Sequence, residues 1–133
     1  MRYLTDQELN VGSRFLFLSM AIVVIQQDIE NIQNGNFKIK EPYTGLLKKM
    51  GLEATNERRQ LQKTMKNSKM KVVKLNKNDS FSSFMFYCNG REEKRNYFNP
   101  AIRKKVETII EELMVNSVKR DLPPLQSDFY SNT

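Results

Sequence analysis

The sequence predicts an α+β fold, in which helices carry a small antiparallel β-meander in the order α-α-α-β-β-β-α. Three observations point there. Apolar residues recur at helical spacing near both ends of the chain. The stretch 70–98 reads instead as short strands rich in aromatic and β-branched residues. Between two of those strands sits Asn89-Gly90, and both residues tolerate the positive φ of a type I′ hairpin turn. A chain of 133 residues suits one domain, here expected over 1–120, and needs no disulfide or metal staple.

The first helix is expected over about 6–33. Thr5-Asp6-Gln7-Glu8 is a capping box, and Leu4 and Leu9 occupy the positions of a hydrophobic staple. Leu18, Ile22, Ile25, Ile29 and Ile32 form one stripe, while Phe17, Ala21 and Val24 make other faces apolar too. A helix apolar all round is either the central helix or partly a homodimer interface. Gly35 is expected to supply a left-handed stop. Pro42 suits the first turn of a second helix ending at Met50-Gly51. A third is expected from Ala54 to Asn67.

Strands are expected over Met70–Leu75, Phe81–Cys88 and Arg91–Phe98, with a polar turn at Asn76–Ser80. A two-residue hairpin loop sets Cys88 opposite Arg91 and Phe84 opposite Arg95. Phe84 and Phe86 should lie under the helices, with Met85 and Tyr87 on the other face. The charged third strand should be an exposed edge. Asn99-Pro100 starts a last helix, and Ile102, Val106, Ile109, Ile110 and Leu113 carry its stripe to about Val118. The stretch 121–133, with Pro123-Pro124, reads as a disordered tail.

Composition narrows the chemistry. There is no histidine and a single cysteine, Cys88. That removes the commonest general base, the Ser-His-Asp and Cys-His arrangements, and a closed structural zinc site. Neither Glu92-Glu93 nor Glu111-Glu112 forms a carboxylate pair, because neighbours diverge on a strand and on a helix. No catalytic residues, cofactor or metal are therefore expected, and Cys88 reads as a small buried residue. The N-terminus lacks a signal-peptide pattern, and the apolar run Phe15–Ile25 is too short to span a bilayer. A cytoplasmic protein without a membrane partner is expected.

Charge is the informative feature. The chain has a formal net charge of +7. Residues 48–77 hold ten basic side chains and two acidic ones, so this block accounts for the whole excess. So many unpaired charges cannot be buried, so a positive patch that attracts polyanions is expected. On a helical wheel Leu61, Ala54 and Met65 share one face. Thr55, Asn56, Arg59, Lys63 and Lys66 lie on the opposite one. Cations suit phosphates, while Arg and Asn can each grip a base edge through two bonds.

This arrangement resembles a winged helix–turn–helix domain over roughly 40–88. Tyr43 to Gly51 looks like a positioning helix with its glycine turn, and Asn56 to Met65 like a recognition helix. Met70–Leu75 and Phe81–Cys88 look like wing strands, with Lys77 near the wing tip. The resemblance implies that the basic helix enters the DNA major groove while the wing touches the backbone, as in a transcriptional regulator. Thr55, Asn56, Arg59 and Lys63 would then enter or flank the groove. Arg58 adds to the basic set, and Lys66, Lys69, Lys71, Lys74 and Lys77 would hold phosphates. DNA ranks ahead of RNA as the partner. The alternative is an adaptor or inhibitor that meets an acidic protein through the basic face, or a partner through the first helix.

Overall fold

A computed structural model describes residues 3–121. Its elements are α1 (Asp6–Gln33), α2 (Glu41–Asn67), β1 (Met70–Lys77), β2 (Phe81–Cys88), β3 (Arg91–Phe98) and α3 (Asn99–Asp121). The fold is α+β. The strands form an antiparallel meander in the order β1-β2-β3. Of the expected tail 121–133, Asp121 instead closes α3, and the rest lies outside the described residues.

Local chemistry sets the boundaries. The Thr5 hydroxyl accepts from the Glu8 N–H at 3.1 Å, and the Glu8 carboxylate accepts from the Thr5 N–H at 2.8 Å, closing the capping box. Asn89 (φ 51°) and Gly90 (φ 79°) make the β2–β3 turn. Its register sets Cys88 opposite Arg91 and Phe84 opposite Arg95, as two loop residues require. Asn78 Oδ1 accepts from the N–H groups of Ser80 and Phe81 at 2.8 Å each, which tightens the β1–β2 turn. That turn starts later than expected, because β1 runs on through a register shift between Lys74 and Asn76. Lys77 therefore belongs to the strand.

Two expectations fail for identifiable reasons. α2 is one unbroken helix of 27 residues, so the turn at Gly51 does not exist. Met50 and Ala54 flank Gly51 and are both fully buried against the other helices. A Cβ placed on Gly51 would lie 3.6 Å from Ile25. That is ordinary contact, so it is the burial of Met50 and Ala54 around this turn that offsets the roughly 1 kcal/mol glycine costs inside a helix. The helix–turn–helix part of the resemblance is corrected accordingly. Gly35, for its part, does not adopt a left-handed backbone. α1 ends instead with the N–H of Asn34 on the Glu30 carbonyl and that of Gly35 on the Ile32 carbonyl. The left-handed residue at a helix end is Lys69 (φ 49°), between α2 and β1.

α1 is the hub. One three-helix core joins Phe17, Leu18, Ala21 and Ile25 of α1 to Met50 and Ala54 of α2 and Val106, Ile109 and Leu113 of α3. A second core seats the helices on the sheet through Leu4, Met65, Met70, Phe84, Phe86 and Cys88. Phe84 and Phe86 do lie under the helices. By length and composition α1 could also cross a membrane; the core helix of a folded domain meets the same description.

Two charged knots hold the layers. Arg14 grips Glu57 of α2 through two bonds of 2.6 and 3.0 Å, and reaches Glu112 of α3 at 3.2 Å. Arg91 grips Glu8 through two more, tying the hairpin to the start of α1. Arg91 first, then the Thr5 N–H, holds the Glu8 carboxyl down at about 2 from its ordinary 4.5. A depressed carboxyl contributes stability above its unfolded pKa, and that contribution is lost as pH falls toward the folded one. Glu8→Gln keeps a capping side chain but loses the charge. Its melting temperature should lie below that of the parent at pH 7, with the gap closing between pH 4.5 and about 2. A gap that stays constant across this window in a pH series of melts would refute the assignment.

Candidate nucleic-acid interface

α2 sorts its charges by face. Its two central acids turn toward the other helices. Glu57 meets Arg14, and Glu53 accepts from the Ser117 hydroxyl at 3.1 Å. The cations of its C-terminal half, Arg59, Lys63 and Lys66, line the other side, with Arg58 the exception. Because β1 follows α2 after only Ser68 and Lys69, the first residues of the strand come back beside that half.

The result is a groove of about 560 Å³ between α2 and β1. Phe15, Met65, Met70 and Val72 supply its apolar lining, and Arg59, Lys63, Lys66 and Lys71 its charged one. Gln62 is the one uncharged polar side chain, and no carboxylate lines it. Arg59 donates to Asn56 Oδ1 at 3.3 Å, and Lys71 sits 5.4 Å from the centre of the Tyr87 ring.

A second groove of about 500 Å³ opens toward the other end of β1. It is lined by Lys74 and Lys77 together with Arg103 of α3, with Asp79 and Asn78 from the turn beside them. β1 is an edge strand. At about 3.3 Å per residue, Lys71 to Lys77 spans roughly 20 Å, and this strand joins the two cationic clusters. Among the described residues, Lys63, Lys66, Lys69, Lys74 and Lys77 form no ion pair.

The expected site residues thus divide. Arg59, Lys63, Lys66 and Lys71 come together in one groove, and Lys74 and Lys77 in its neighbour. Lys69 is exposed at the corner between α2 and β1. Arg58 does not belong to the face. It lies on the α1 side of α2, donates to the Ser19 hydroxyl at 2.7 Å and sits 4.6 Å over the Phe15 ring. Its charge serves the helix–helix contact. Thr55 is half-buried and lines neither groove. Asn56 borders a different hollow, shared with Glu53, Glu57 and Glu112.

The sequence reading missed Arg103, Gln62 and the apolar lining. Gln62 could have been found, since on the wheel it falls about 40° from Lys66 and about 60° from Arg59, on the border of the same face. Arg103 lies outside the basic block, and nothing in its spacing links it to β1. Phe15, Met70 and Val72 carry the same signal as any core residue.

Cys88 is buried, and its thiol donates to Glu8 Oε2 at 3.2 Å. Burial first, and then Glu8, push its pKa up, which keeps it a thiol rather than a nucleophilic thiolate.

Fold and surface together define a basic α+β protein, a three-helix core resting on a β-meander with a cationic strand edge. The chain belongs to the YhjD protein family, which matches residues 3–118. It is 28% identical over 110 residues to a Bacillus subtilis (strain 168) protein described as uncharacterized protein YhjD, covering 83% of this chain and 92% of that one. No solved structure matches.

Proposed function

We propose that this chain binds nucleic acid through the basic face formed by the C-terminal half of α2 and the edge strand β1. One observation carries the reading. The cations of residues 58–77, Arg58 aside, emerge on neighbouring surfaces, while the acids that could have neutralised them are engaged elsewhere by Arg14 and Ser117. A solvated surface with no ligand normally interleaves both signs. A face whose first groove has no carboxylate and whose second has Asp79 against three cations instead raises the local concentration of polyanions.

The mode of binding differs from that of a helix–turn–helix. Without the turn at Gly51, no separate recognition helix stands clear of the body. Thr55 and Asn56 lie off the grooves, which leaves contact with the phosphate backbone as the main source of affinity. Salt dependence is the direct test. If about five phosphates are neutralised, the logarithm of affinity for duplex should fall against the logarithm of salt with a slope near −4.5. A flat response in a fluorescence-anisotropy titration would sink the proposal.

A further inference from the structure

We infer that the groove between α2 and β1 takes single-stranded rather than duplex nucleic acid, with bases against its apolar lining and phosphates against its cations. This inference rests on the nucleic-acid reading above and sharpens it.

The groove combines two chemistries that a duplex does not use together. Its charged lining, Arg59, Lys63, Lys66 and Lys71, suits a phosphate chain. Its apolar lining suits flat ring faces, with half-buried Phe15 and Val72 presenting surface over the buried Met65 and Met70. In a duplex those ring faces are hidden in the stack, and only base edges and backbone are offered. In a single strand the faces are free, and such strands are commonly held by a cationic groove with aromatic platforms, of which Phe15 is the one here. Gln62 adds an amide that can both donate to and accept from a base edge.

The shape argues the same way. The cations line a cleft between a helix and a strand, whereas major-groove entry needs a helix that projects. Edge protection is the competing explanation for lysines on β1, since charge on an edge strand discourages sheet-to-sheet pairing. It accounts for Lys71, Lys74 and Lys77. It does not account for Arg59, Lys63 and Lys66, which lie on the helix.

The test uses the whole chain with two fluorescein-labelled probes, a thymidine oligonucleotide of about twelve nucleotides and a duplex of equal length. The expected result is at least about tenfold tighter binding of the single strand, with a salt slope near −2.8 for four cations. The chain contains no tryptophan, so Gln62→Trp places one fluorophore in the groove. The thymidine probe should quench it, and inorganic polyphosphate should not. Equal or tighter duplex binding overturns this inference and leaves the broader proposal standing. Binding without quenching places the strand elsewhere and also overturns it. If neither nucleic acid binds while polyglutamate does, both readings fall and the groove takes an acidic peptide.

Discussion

Replacing Arg59, Lys63 and Lys66 together by glutamine should weaken nucleic-acid binding by at least about a hundredfold at 0.1 M salt. The figure follows from counterion release. On a single strand each phosphate contact contributes roughly fivefold at that salt, and on duplex roughly eightfold, so three contacts multiply to between one hundred and five hundred. The salt slope should become shallower by about two to three for the same reason. The fold should survive, because these side chains are exposed and their one side-chain hydrogen bond is from Arg59 to Asn56. Lys38→Gln with Lys94→Gln is the matched control, since both residues are exposed and outside the two grooves. If the control weakens binding as much per charge removed, affinity follows net charge and the groove has no special role. Circular dichroism of the triple variant separates lost binding from lost structure.

How much of this was legible in the sequence depends on the range of the interaction concerned. Short-range rules held. The capping box at Thr5 and Glu8, the hairpin turn at Asn89-Gly90 and its register are fixed by bonds between residues a few positions apart. The amphipathic stripe of α3 held as well, with Val106, Ile109 and Leu113 all buried. The reading failed where a long-range contact overruled a local signal. Glycine at 51 is a helix-stop signal in isolation, and only the packing of Ile25, Met50 and Ala54 makes it an interior residue. Arg58 was misassigned in the same way. Its position on the wheel lies nearer the core arc than Arg59 does, but a charged residue so placed signals an internal tie only once Ser19 and Phe15 are known to be opposite. The charge block itself was plain in the composition. Its division into two grooves was not, because the path of β1 relative to α2 and the approach of Arg103 are properties of the fold.

Phe86→Ala should be the most destabilising single substitution of the helix–sheet core, by about 3–5 kcal/mol in denaturant unfolding, which for a domain of ordinary stability is a large share of the total. Phe86 is fully buried at the centre of the second core, between Phe84 and Cys88 along the strand and beneath α1. The reason that α1 can lie so close is Gly12. A Cβ there would stand 2.8 Å from Cδ1 and 3.1 Å from Cε1 of the Phe86 ring, with the Met70 sulfur at 3.5 Å. Gly12→Ala therefore sets two effects against each other. Alanine gains up to about 1 kcal/mol of helix propensity. The collision with a ring that has no free space to move costs about 1–3 kcal/mol. The net effect should be a loss, and it should reverse when the ring is shortened. Gly12→Ala in a Phe86→Leu background should be neutral or stabilising, giving a coupling of about 1 kcal/mol or more in a double-mutant cycle. Additive effects would mean that helix and sheet are spaced by something other than this contact. The groove depends on the same spacing, since Phe15 of α1, Met65 of α2 and Met70 of β1 meet at its apolar wall. A Gly12 variant that stays folded should thus also bind the single strand more weakly, although it removes no charge from the groove.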